Sequence, residues 1–174
     1  MKRSAELRGL SEEHHHGLVA ARRLRLAAEG KAPLAEAIAW FLDAWRGQIQ
    51  PHFRAEEEVL LPEFARARAP DDPLIVRTLT EHVGLRRAVR DLTQALEDTP
   101  QSDLGERQRL LAGEIGRALE AHIRFEERIL FPAIESALLP AASGRLADLG
   151  REPSGGPRGG RIGCGLEGRA RKLP

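Results

Sequence analysis

The segment HFRAEEEVLLP at residues 52–62 returns as HIRFEERILFP at residues 122–132. The two agree at His52/His122, Arg54/Arg124, Glu56/Glu126, Glu57/Glu127, Leu60/Leu130 and Pro62/Pro132, all at one offset of 70. What repeats is the polar part. Residues four apart on a helix lie one turn apart on the same side, so His52 with Glu56, and His122 with Glu126, each offer an imidazole and a carboxylate toward one point. Both pairs also lie on apolar stripes, Ile38, Leu42, Trp45, Ile49 and Val59 for one, Leu111, Ile115, Ala118, Ile129 and Ala133 for the other. A carboxylate on a core-facing stripe is costly unless it is paired or coordinates a metal. Two such pairs facing each other bring two carboxylates within bridging reach, which suits two cations sharing oxygen ligands.

Two further helices are expected to complete the inner face. The first runs from a cap at Ser11, with Glu12 and Glu13 in the favourable first turn, to a stop at Gly30. The second starts at Pro33, with kinks expected at Pro51 and Pro62; the third spans about 73–98; the fourth follows a cap at Ser102 or Asp103. No stretch alternates as a strand would, so the predicted fold is all-α, an up-down-up-down four-helix bundle. His82 falls on the stripe of the third helix. On the first, His14 aligns with Leu7, Leu10, Leu18 and Ala21 and is placed first; His15 is second, because HHGL at 15–18 resembles HVGL at 82–85, and His16 is third. Each helix thus carries an inward histidine, and no histidine lies outside the four helices. That conjunction, rather than any single pair, points to a metal.

Composition closes off other classes. With 41% hydrophobic and 30% charged residues the chain reads as a soluble globular protein, and a net charge of +1 gives no overall basic field for nucleic acid. One cysteine, Cys164, excludes an internal disulfide and a thiolate zinc site. There is no apolar run of about 18 residues and no signal-peptide pattern, so the cytoplasm is the expected compartment and no membrane partner is expected. Residues 140–174 are rich in Gly, Pro and Arg and are read as a disordered, solvated tail after a domain at 1–139. Cys164 within it reads as an incidental exposed thiol.

The motifs EEHHHGL, HFRAEEEVLLP, EHVGLRR and HIRFEERILFP, in this order, resemble the hemerythrin-like (HHE cation-binding) family over about residues 7–139. That resemblance implies a non-haem di-iron centre with His14, His52, His82 and His122 as terminal ligands and Glu56 and Glu126 as bridges, reacting with O2, NO or peroxide. Oxygen-carrying members have another histidine one turn after the ligand of the third helix, where this chain has Arg86. One iron would then keep an open position or borrow Glu57 or Glu127. This turns the expectation from oxygen carriage toward sensing, iron handling or a slow oxidative reaction, with a peroxidase- or oxidase-like enzyme as the alternative. A structural or storage bundle holding another divalent metal is the third reading. The ligand list by itself suits Fe, Mn or Zn. The absence of tyrosine excludes a phenolate ligand. Trp45, Ile49, Leu111 and Ile115 are candidates for an apolar pocket admitting a diatomic ligand.

Overall fold

The computed structural model describes residues 5–98 and 104–138, which contain helices and no strand. The elements are α1 (Ala5–Ala28), α2 (Leu34–Ala44), α3 (Gln50–Ala55), α4 (Leu61–Ala67), α5 (Pro73–Glu97), α6 (Glu106–Phe125) and α7 at 131–138. The proposed cap at Ser102 or Asp103, the whole tail and Cys164 lie outside the described residues. Helix α1 starts six residues before Ser11, which is therefore no cap; its hydroxyl serves the site described below. Gly30 does end α1: at φ +74° it takes the left-handed conformation that closes a helix, and the Lys31 N–H reaches back to the Leu26 carbonyl at 2.8 Å. Asp72 caps α5 by accepting from the Leu74 N–H at 2.9 Å.

The expected proline kinks appear as π-turns. They occupy Trp45–Ile49, Glu56–Leu60 and Glu126–Leu130, and each is followed by a proline two residues on, Pro51, Pro62 and Pro132. A proline inside a helix cannot donate to the carbonyl four residues back and its ring crowds that carbonyl. Widening the preceding turn to an i→i+5 bond, as from Leu61 N–H to Glu56 O and from Phe131 N–H to Glu126 O, relieves the clash without breaking the rod. Thus α2, α3 and α4 form one continuous second helix, and α6 runs on into α7 as the fourth.

The extra residue in each wide turn corrects part of the predicted stripe. Val59 is 63% and Ile129 47% exposed, whereas Leu61 and Leu130 are buried. Ala118 also faces out. Counting by threes and fours beyond Glu56 or Glu126 overshoots the inner face, because one turn there holds more residues.

Two apolar clusters fill the bundle. One includes Leu24, Phe41, Trp45, Phe53, Leu92, Ile115 and Leu119; the other includes Leu7, Leu61, Phe64, Ile75, Phe125, Phe131 and Ile134. Along every helix the predicted histidines fall between these clusters, so the polar residues form a layer with a hydrophobic block on either side. The first and fourth helices pack closest. A Cβ on Gly116 would stand 2.7 Å from the Ala21 carbonyl oxygen, a contact only glycine permits.

Candidate metal centre

Wide turns begin on both central glutamates, so Glu56 and Glu126 sit where the helix changes pitch and point inward with no exposed surface. His14, His52, His82 and His122 are buried around them, whereas His15 and His16 face solvent. The first-ranked residue of the helix-one trio is therefore the inward one. The better alignment pairs the Glu13-His14 dipeptide with Glu81-His82, and it outweighs the HHGL likeness.

The six residues form two groups that share both carboxylates: His14, His52, Glu56 and Glu126 in one, Glu56, His82, His122 and Glu126 in the other. Nε2 of His14 lies 3.1 Å from Nε2 of His52, and Nε2 of His82 lies 3.1 Å from Nε2 of His122. Glu56 directs Oε1 to His52 Nε2 at 3.4 Å and Oε2 to His82 Nε2 at 3.3 Å. Glu126 directs Oε2 to His14 Nε2 at 3.1 Å and Oε1 to His122 Nε2 at 3.2 Å. Each carboxylate therefore splits its oxygens between the two groups.

These separations fit ions better than hydrogen bonds. Metal bonds of about 2.0–2.1 Å to imidazole place neighbouring donors roughly 2.9–3.4 Å apart in octahedral or tetrahedral geometry. None of the four oxygens of Glu56 and Glu126 has a hydrogen-bond partner, although all are buried. Leaving a buried carboxylate unsatisfied costs several kcal/mol, so an orphaned pair aimed at imidazole nitrogens is a strong sign that cations complete the site. Imidazole with carboxylate and no thiolate is a borderline-to-hard donor set.

The outer nitrogens are held by four further glutamates. Nδ1 of His14 meets Glu127 at 2.7 Å, Nδ1 of His52 meets Glu13 at 2.7 Å, Nδ1 of His82 meets Glu57 at 2.7 Å and Nδ1 of His122 meets Glu81 at 2.8 Å. A carboxylate only accepts, so Nδ1 donates and Nε2 of the neutral ring is left as a bare lone pair facing inward. Glu57 and Glu127 thus lie outside the donor cage, which corrects the expectation that one of them substitutes for a missing ligand. Arg86 turns to Glu57 and donates to both its oxygens, at 2.7 and 3.0 Å. Arg77 donates to Glu81 at 2.7 Å, and the Ser11 hydroxyl donates to Glu127. These outer partners were missed because each looks like ordinary surface charge; the signal was the doubled Glu-His at 13–14 and 81–82 and the doubled Glu-Glu at 56–57 and 126–127.

Electrostatics divides the central pair. Burial raises Glu56, but the facing imidazoles of His52 and His82 outweigh it and hold this carboxyl at about 2. Burial, then the Glu56 charge, pushes Glu126 well above the usual range. Burial lowers His14 and His122, whereas for His52 the contacts with Glu56 and Glu13 overcome burial and raise it.

Rings pack over the centre. Phe53 stacks on His82 at 3.8 Å between centroids, and Phe131 stacks on His14 at 5.2 Å. Beside His14 and His52 lies a cavity of about 20 Å³, enough for one water-sized or diatomic molecule, walled by Gly17, Gln48, Ile49, Leu119 and Ile123 among others. Of the four residues expected around such a pocket, Ile49 lines it; Trp45 and Ile115 are packed into the apolar cluster, and half-buried Leu111 packs against its edge.

No curated protein and no solved structure matches the chain. The hemerythrin HHE cation-binding domain description matches residues 5–134, and a second match runs over 74–152. A match across most of the chain, together with buried histidines and glutamates gathered into two shared groups, leads to one conclusion: this chain belongs to the hemerythrin HHE cation-binding domain family.

Proposed function

We propose that the chain is a non-haem di-iron binding protein that senses or reacts with O2, NO or peroxide or handles iron. His14 and His52 would hold one ion and His82 and His122 the other, with Glu56 and Glu126 bridging. The orphaned oxygens of Glu56 and Glu126, divided one each between two imidazole pairs, carry this reading. Bound iron supplies redox change and open coordination positions. The protein residues do the rest: Glu13, Glu57, Glu81 and Glu127 orient the rings, Phe53 and Phe131 shield two of them, and the small cavity limits access beside His14 and His52. Two histidines per ion, with Arg86 engaged by Glu57, favour a reactive or sensing centre over a reversible oxygen carrier. An up-down-up-down course is supported by the order of the two apolar clusters, which reverses from each helix to the next.

The cavity beside His14 and His52 also favours a second reading, a peroxidase- or oxidase-like enzyme, since peroxide is small enough to enter. One preparation tests both readings. After anaerobic loading, about two irons per chain are expected, with new absorption on exposure to air and to azide. Fewer than about 0.3 iron per chain would overturn both readings, and zinc or manganese taken up in place of iron would leave the storage bundle. Steady-state peroxide consumption with a reductant, well above that of free iron, would select the enzyme.

A further inference from the structure

The four outer glutamates follow one rule. Glu13 on the first helix holds His52 on the second; Glu57 on the second holds His82 on the third; Glu81 on the third holds His122 on the fourth; Glu127 on the fourth holds His14 on the first. Every helix gives one carboxylate to the histidine of the next, and the circle closes. Three of the four are themselves held, Glu57 by Arg86, Glu81 by Arg77 and Glu127 by Ser11. All four are partly exposed, with 25–55% of the side chain accessible, so nothing about burial forces them into these contacts.

We infer that Glu13, Glu57, Glu81 and Glu127 form a closed ring of positioning residues that fixes each histidine in the Nδ1–H tautomer with Nε2 inward before any ion arrives, and that Arg86 locks the Glu57 link. Carboxylates behind metal-binding histidines commonly work this way, fixing the ring and raising its basicity. The ring makes a site-by-site assignment: Glu13 and Glu127 serve the His14/His52 group, Glu57 and Glu81 the His82/His122 group. It rests on the proposed ion-binding role for its consequence in affinity, but the tautomer claim stands on the metal-free protein alone.

Long-range proton–nitrogen spectra of the labelled, metal-free full chain read the tautomers directly, and titration with Co2+ reads affinity. In the wild type, all four buried histidines are expected as Nδ1–H and two Co2+ should bind. Glu57→Ala should release His82 alone and weaken one Co2+ by about 10- to 100-fold. Glu81→Ala should do the same through His122, so either variant suffices if the other fails to fold. Glu57→Gln, which keeps an acceptor, should retain the His82 tautomer and recover most of the affinity, and Arg86→Ala should perturb the same ring less. Glu58→Ala, a control on an exposed neighbour, should change nothing. Nε2–H tautomers in the wild type, or an unchanged His82 in Glu57→Ala, would overturn the ring even if two Co2+ bind. A wild type that binds no Co2+ but shows the four Nδ1–H tautomers would keep the ring and sink the ion-binding role.

Discussion

The two halves of the centre have matching inner donors and different surroundings. In the His82/His122 half, both outer glutamates are clamped by arginines, Arg86 on Glu57 and Arg77 on Glu81, and Phe53 lies flat on His82. In the His14/His52 half, Glu13 is 55% exposed with His52 as its one partner among the described residues, and the small cavity opens there. A repeated helix pair can therefore specify two equal sets of ligands while the residues beside them make one set enclosed and the other accessible. The difference lies in what the repeat does not copy: Arg86 corresponds to Leu18, and Phe53 to Ile123.

The largest expected effect removes the distinction altogether. Glu126→Leu should abolish uptake of both ions, because its oxygens serve both halves, whereas His52→Ala or His122→Ala should each lower the metal count from about two toward one. Metal analysis of the purified variants checks this. The same Glu126→Leu exchange should leave the metal-free fold as stable or raise it by about 1–4 kcal/mol in denaturant titration, since it deletes a buried, unsatisfied carboxyl. Two ions retained by Glu126→Leu would show that the halves do not share it.

Next in size is the response to acid. Glu126 and His52 are both raised and bind an ion only when deprotonated, so affinity should fall as pH falls through their folded values, with protons released on loading in that range. Calorimetry in buffers of different ionisation heat measures that release. An affinity that does not fall with acid would contradict the upward shifts of Glu126 and His52.

A smaller effect should separate the halves. A Cβ at Gly17 would come within 2.7 Å of Ile123 Cδ1 and crowd the cavity wall, so Gly17→Ala should weaken azide binding to the loaded protein by roughly fivefold or more while the metal count stays the same. Equal azide affinity would place access elsewhere. Smallest of all, Val59→Ser and Ile129→Ser should each change stability by less than about 0.5 kcal/mol, alike in both halves, whereas Leu61→Ala or Leu130→Ala should cost about 2–5 kcal/mol. Thermal melts distinguish these pairs.

Much of this was legible from spacing alone. Histidine and glutamate four apart, twice, at one offset, locate the inner layer because helix geometry leaves few other ways to face them. The choice of His14 over His15 follows the stripe of the first helix. The wide turns were not legible, since a 3.6-residue count assumes uniform pitch; three prolines at equivalent distances after Trp45, Glu56 and Glu126 were the available hint. Nor was the fate of Glu57 and Glu127. Whether an acid beside a ligand joins the cage or stands behind the next helix's histidine depends on rotation between helices, which one-dimensional spacing does not carry.

The circle of glutamates also has a sense of rotation. Glu13 precedes His14 by one residue and so projects about a quarter-turn to one side of it, the side where the second helix lies. In a bundle wound the other way, that side would face the fourth helix, and Glu13 would meet His122 in place of His52. The winding of the bundle thereby decides which imidazole each carboxylate aims, and with it which half of the centre Glu13 and Glu127 serve together.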